Sequence, residues 1–199
     1  MIYPDRWRLP LQIDPQRLQK DLEGLSAMTW TRHFVAQNYD GDWDVLALRS
    51  VAGARHPVTM IYADPTATAF EDTPLLSACP YFRDVLAMFA CDLQSVRLMR
   101  LSPGSVIKLH RDHDLGAEGG KVRFHVPITT NPQVAFELNG QRLAMQAGDA
   151  WCLRLCDPHR AANHGSASRV HMVIDGVDNA WLQSLFRRSQ PAAVAAPPP

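Results

Sequence analysis

His110-Arg111-Asp112 is the one place where any of the eight histidines of this 199-residue chain is followed two residues later by an acid. On an extended segment, side chains at i and i+2 point to the same side, so the His110 imidazole and the Asp112 carboxylate can converge on one ion. A third donor must come from elsewhere, and His159 is the candidate. Two imidazoles and one carboxylate on one face of an octahedral Fe(II) leave three positions open, enough to hold a cosubstrate and dioxygen together. Ten residues after His159, beyond the turn-like stretch Asn163-His164-Gly165-Ser166, Arg169 opens a strand-like run to Ile174. The planar fork of an arginine suits a carboxylate in a partly buried site better than a lysine point charge does. His159 and Arg169 therefore read as metal ligand plus anion clamp.

This order of residues, together with Arg-Phe-His-Val-Pro-Ile at 123 to 128 and the Gly-Asp-Ala-Trp turn at 148 to 151, resembles the aspartyl/asparaginyl β-hydroxylase family, itself similar to bacterial free-proline hydroxylases. The resemblance spans about residues 25 to 178, and Trp30-x-x-His33 with Tyr39-x-Gly41-x-Trp43 extends it toward the N-terminus. It implies a double-stranded β-helix and an activity that couples oxidative decarboxylation of 2-oxoglutarate to hydroxylation of an unactivated C–H bond, with O2 consumed and succinate and CO2 released. Carried over residue by residue, it implies Fe(II) at His110, Asp112 and His159. It places Arg169 on the distal carboxylate of 2-oxoglutarate, with Arg123 and His125 also at the cosubstrate. Asp112 puts the chain with the bacterial three-ligand pattern rather than with animal members that lack the acid.

Other readings of the same residues stand beside these. His113 and Asp114 offer a shifted ligand set, but the odd offset from His110 turns His113 to the opposite face of a strand, and both read as loop residues. Arg123 can equally pair with Asp112 or another acid. His171 shares the face of Arg169 and suits a packed, hydrogen-bonded role as well as a pocket one. Cys152, Cys156 and His159 offer part of a zinc site without an evident fourth ligand. Trp43 and Trp151 are candidates for the substrate pocket, although large aromatics are more often core. Asn163 is expected to satisfy backbone groups in its turn.

The elements that must position these residues are legible from pattern. Asp14 can cap a helix over 15–23 that spaces Leu18, Leu22 and Leu25 along one face. Strands are expected at 43–49 and 58–62, and helical pieces at 74–78 and 81–90. From Leu93 onward short apolar runs alternate with turn signals, Asn139-Gly140 foremost, giving strands at 94–101, 106–110, 121–129, 133–138, 141–145, 150–155, 159–163 and 169–175. Eight such strands suit a jelly roll, so the fold class is mainly β with flanking helices, cupin-like. The expected organisation is a single domain over 1–188: an N-terminal helix and strand arm over 1–92, a jelly-roll core over 93–176, and a closing helix over 178–187. The Pro/Ala-rich residues 189–199 cannot form a core and are expected to be disordered.

Lys plus Arg equals Asp plus Glu at 20 each, which leaves no basic field for nucleic acid or anionic lipid. No stretch is apolar for long enough to span a bilayer, the first residues lack the apolar run of a secretory signal, and four cysteines without a Cys-x-x-Cys pair suggest reduced thiols. A cytoplasmic location follows, with a small-molecule or peptide substrate and at most a second copy of the chain as partners. Two functions compete on this sequence. One is a 2-oxoglutarate-dependent hydroxylase acting on an amino acid, a small derivative of one, or a peptidyl residue. The other is a non-catalytic jelly-roll module that binds a metal and an organic acid.

Overall fold

Side chains alternate across a strand, so a sheet packed on both faces needs apolar residues on both. That is the situation of the long strands here. The computed structural model describes residues 4–62, 64–112, 115 and 120–189. Its elements run β1 Arg6–Arg8, α1 Pro15–Gly24, β2 Thr31–Arg32, a 3-10 turn Ala36–Asn38, β3 Tyr39–Asp40, β4 Trp43–Val51, α2 Pro57–Ile61, β5 Phe70–Asp72, α3 Pro74–Ser77 and α4 Pro80–Leu86. They continue with β6 Leu93–Leu101, β7 Val106–His110, β8 Lys121–Thr129, β9 Val134–Leu138, β10 Gln141–Leu143, β11 Trp151–Leu153, β12 His159–Asn163, β13 Arg169–Val177 and α5 Ala180–Ser189.

The larger sheet has the order β1-β11-β8-β13-β6-β4-β2, with β5 paired to β4, and the smaller β10-β9-β12-β7-β3. From β6 to β13 the chain crosses repeatedly between the two sheets, and β13 returns to lie between β6 and β8. This is the jelly roll, the double-stranded β-helix expected from sequence. The region before Leu93 does more than flank it: β4 pairs along β6, β1 along β11 and β3 along β7.

Two apolar clusters follow from the alternation. Val96, Leu98, Phe124, Val126, Met172 and Ile174 point away from the smaller sheet and pack with Leu18, Leu76, Phe82, Val85, Leu182 and Phe186 of the helices. Their neighbours Met99, Leu101 and Val173 point the other way and meet Ile107, Phe136, Leu138, Leu143 and Ala161 between the sheets. Burying such side chains contributes roughly 1.5–3 kcal/mol each.

Local chemistry sets the connections. Asp14 caps α1 by accepting from the Gln16 and Arg17 N–H groups, and its backbone N–H donates to the Tyr81 hydroxyl at 2.7 Å. Gly148 has φ +84°, and a Cβ there would lie 2.6 Å from the Ile13 carbonyl oxygen, so the turn into β11 requires glycine. Asp149 completes that turn by accepting from the Gln146 N–H at 2.9 Å and the Trp151 indole at 3.2 Å.

Residues 58–62 correct the sequence expectation. They are not a strand: Pro57–Ile61 forms a short helix, started by Pro57 and capped by the His56 ring, which accepts from the Val58 N–H. The closing helix is shifted to Ala180–Ser189, so Ser189 belongs to it rather than to the tail. His113, Asp114 and residues 190–199 lie outside the described residues.

Candidate metal centre and its cavity

β7 and β12 are neighbours, and their register sets His110 directly opposite His159. The two imidazole centroids lie 4.2 Å apart. Asp112 sits two residues past the end of β7, and its backbone N–H donates to the Leu155 carbonyl at 2.8 Å, which returns the carboxylate to the histidines. One donor atom from each of His110, Asp112 and His159 falls within 4.8 Å of the others, the one such His/Cys/Asp/Glu cluster found among the described residues. Cys79, Cys91, Cys152 and Cys156 are free thiols outside it.

Both histidines are oriented from behind. His110 Nδ1 donates to the Lys108 carbonyl at 2.8 Å and His159 Nδ1 to the Asp157 carbonyl at 3.0 Å. That fixes the proton on Nδ1 and leaves the Nε2 lone pair as the free donor atom, the tautomer a metal ligand needs. His110 Nε2 lies 3.6 Å from Asp112 Oδ1. Burial lowers the His159 pKa, which keeps its ring neutral. The donor set and its chemistry fit a divalent first-row metal.

Behind Asp112 runs a chain of alternating charge that the sequence did not announce. Arg123 Nη1 donates to Asp112 Oδ2 at 2.6 Å, leaving Oδ1 toward His110. The same guanidinium grips Asp175 with two bonds, 2.5 and 3.0 Å long, and Arg97 closes on the other side of Asp175. Arg123 and Asp175 face each other in the β8–β13 register. Burial alone would raise the Asp175 carboxyl, but Arg123 and Arg97 hold it below the ordinary carboxylate range. Of the two readings of Arg123, a cosubstrate contact or a pair with Asp112 or another acid, its bonds run to Asp112 and Asp175, and it also lines the cavity.

Arg169, at the start of β13, presents the opposite case. It is 2% exposed, has no ion pair among the described residues, and its Nε is buried without a hydrogen-bond partner. Its Nη2 meets His171 Nδ1 at 2.7 Å. Burial pulls the guanidinium down to about 9, still charged at neutral pH. His125, from β8, reaches the same His171 nitrogen at 3.2 Å. A buried cation without an acid is costly unless a ligand completes it.

His110, Asp112, His159, Arg123, His125 and Arg169 all line one cavity of about 320 Å³. Its other end is aromatic. The His33 ring stacks on Trp43 at 3.6 Å and on Phe34 at 4.9 Å, and Phe34 meets Tyr62 edge to face at 5.6 Å. Burial lowers His33 to about 3, so it too is neutral. Of the two tryptophans expected at the pocket, Trp43 lines it and Trp151 does not. Trp151 instead packs against the apolar cluster between the sheets, its N–H held by Asp149. Asn163 ties its turn as expected, donating to the Leu101 and Ala167 carbonyls at 3.0 and 2.9 Å.

A model of the aspartyl/asparaginyl β-hydroxylase family matches residues 14–178, and the chain belongs to that family. It is 26% identical over 179 residues to an L-proline cis-4-hydroxylase of Rhizobium meliloti (strain 1021), covering 89% of this chain and 62% of the relative. It is 24% identical over 169 residues to L-proline cis-3-hydroxylase 1 of a Streptomyces species, covering 83% and 57%. The chain thus spans about three fifths of the length of the curated relatives it matches. Among solved structures, an oxidoreductase of the 2OG-Fe(II) oxygenase family from Burkholderia pseudomallei superposes with a TM-score of 0.56 at 13% identity, covering 88% of this chain and 86% of that one. That likeness establishes the shared jelly roll. Among the described residues no helix is long and apolar enough to cross a membrane.

Proposed function

We propose that the chain is an Fe(II)/2-oxoglutarate-dependent dioxygenase that hydroxylates an unactivated C–H bond of a free amino acid or a small molecule derived from one. Residues 1–188 would act as one dioxygenase domain. The observation that carries this reading is the pairing, in one cavity, of a two-histidine, one-carboxylate cluster with a buried arginine that has no acid partner among the described residues. The names of the curated relatives support a free amino acid as substrate over a peptidyl residue. Free thiols at all four cysteines agree with a reducing, cytoplasmic setting.

In this reading His110, Asp112 and His159 hold Fe(II) through Nε2, Oδ1 and Nε2. When bound, the iron with 2-oxoglutarate and O2 supplies the oxidising chemistry, one oxygen atom going to the substrate C–H and the other to succinate, with loss of CO2. The protein binds and orients. Arg169 takes the distal carboxylate of 2-oxoglutarate with its fork, and its burial strengthens that bond by excluding water. Arg123 holds Asp112 Oδ2, so that one carboxylate oxygen faces the metal position. His33, Phe34, Trp43 and Tyr62 form the wall available to the substrate.

The test is a turnover screen. Protein, Fe(II), O2 and 2-oxoglutarate are incubated with a panel of amino acids and short peptides, and succinate is measured together with the gain of one oxygen by mass spectrometry. Stoichiometric succinate and hydroxylated product from a free amino acid supports the reading. Hydroxylation of peptides alone would move the substrate class, and a protein that binds 2-oxoglutarate but never yields succinate is a binding module.

A further inference from the structure

We propose that His171 is the positioning residue of the cosubstrate pocket: its Nδ1 fixes both the Arg169 guanidinium and the tautomer of His125. The proposal rests on the reading of Arg169 as the 2-oxoglutarate clamp.

The argument is one of hydrogen-bond arithmetic. An arginine has five N–H donors and no acceptor, so at 2.7 Å Arg169 Nη2 must donate and His171 Nδ1 must present its lone pair. The His171 proton is then on Nε2. His125 Nδ1 lies 3.2 Å from that same lone pair. Two lone pairs cannot face each other at that distance, so His125 also donates, from Nδ1, and turns its own lone pair out on Nε2. One acceptor atom thus gathers two donors from two strands, β13 and β8, both of which line the cavity.

The surroundings leave these groups little else. His125, Arg169 and His171 are 5%, 2% and 1% exposed. Arg169 Nε, His125 Nε2 and His171 Nε2 have no hydrogen-bond partner, and no carboxylate pairs with Arg169 among the described residues. His171 is therefore the side chain whose hydrogen bond orients the charged fork, which besides it has the Phe136 ring at 6.0 Å. Burial beside Arg169 also lowers its pKa, which keeps the ring neutral and able to accept. His125 crosses His171 edge to face at 84°, the attitude its N–H needs to reach the ring nitrogen.

Isosteric variants separate positioning from packing. Asparagine can place an amide oxygen near the Nδ1 position, glutamine near the Nε2 position, and leucine fills similar space with no acceptor. The first readout is the equilibrium affinity for 2-oxoglutarate, measured by calorimetry under nitrogen on Mn(II)-loaded protein. The second is long-range 1H–15N correlation of the imidazoles in metal-free protein. The expected result is that His171→Leu and His171→Gln weaken 2-oxoglutarate binding by about tenfold or more, the usual scale for losing a hydrogen bond to a buried charge. His171→Asn is expected to stay within about threefold of native, and Mn(II) affinity to change in none of them. The native spectrum should show His125 protonated on Nδ1 and His171 on Nε2. Equal affinity in the leucine and native proteins overturns the proposal, as does a spectrum with His171 protonated on Nδ1. If His171→Leu does not fold, the contrast between asparagine and glutamine decides alone. Should native protein fail to bind 2-oxoglutarate at all while the tautomers are as stated, the cosubstrate reading falls and the positioning of Arg169 by His171 survives it.

Discussion

The two ends of the charged row inside the jelly roll are built on opposite terms. At the Asp112 end every charge has its complement, since Asp112, Arg123, Asp175 and Arg97 alternate in sign with contacts of hydrogen-bond length between successive members. At the Arg169 end a buried guanidinium has a neutral imidazole for company and, among the described residues, no acid. The difference teaches where a ligand belongs. A network closed in charge, with Arg97 Nε alone left without a hydrogen-bond partner, aims the carboxylate of the proposed metal centre. An open cation is incomplete until an anion arrives.

The strongest way to break this contrast is to remove a donor on the metal side. His159→Ala should lower Mn(II) affinity by more than about 100-fold, beyond the 10- to 100-fold typical of losing only an outer partner, and abolish succinate formation; titration followed by electron paramagnetic resonance reads the metal. Arg169→Ala should leave Mn(II) binding intact and weaken 2-oxoglutarate by about 30-fold or more, the scale for truncating one side of a buried charge pair. In that variant the stabilisation that 2-oxoglutarate gives the native fold, about 2.7 kcal/mol at 100 times the native dissociation constant, should fall to about 0.9 kcal/mol or less at the same concentration in thermal melts.

Stability sharpens the comparison because the two ends should respond with opposite sign. Asp175→Ala orphans Arg123 and Arg97 in the interior and should cost about 3–5 kcal/mol in urea unfolding. Arg169→Met removes a charge that pairs with no acid among the described residues, so the free protein should become more stable, by about 1–3 kcal/mol. A loss of stability in Arg169→Met would mean the cation is already satisfied.

The smallest effect is one ring's share of the response to acid. Burial lowers the pKa of His33, His125 and His171 below the ordinary 6.5. The unfolded chain therefore takes up protons at these rings near pH 6.5 while the folded chain does not. Their stabilising contribution is complete above that pH and is lost as pH falls below it, by up to about 1.4 kcal/mol per pH unit for each ring. Urea midpoints of metal-free protein should fall between pH 7 and pH 5, and less steeply in His33→Phe.

Much of the site was legible before the fold, for reasons that are local. His110 and Asp112 are two residues apart, and β7, β8 and β12 have the bounds that apolar runs between turn signals define. What escaped was not local. Arg97 meets Asp175 from 78 residues away, and a charged residue in a strand reads as facing water unless its partner is known. In sequence His171 suits a packed place as well as a pocket one, because the acceptor role proposed for it depends on Arg169 and His125 together. Trp151 faces between the sheets as a pocket residue would, opposite His125, but where along that space the cavity ends is not written in the local sequence. Strands of two or three residues, such as β2 and β3, are too short to show a period. At Pro57–Ile61 an apolar run resembled a strand, and Pro57 with the His56 cap decided for helix.

β13 divides its labour by parity. Arg169, Val173 and Asp175 line the cavity and His171 bonds to Arg169 beside it, while Val170, Met172 and Ile174 seat the helices. A single-residue insertion in this strand would exchange the two rows, sending the anion clamp into the helical layer and methionine into the pocket. Retargeting the protein to a new substrate should therefore proceed through the segments around Phe34 and Tyr62, which lie outside the strands, and leave the central strand untouched.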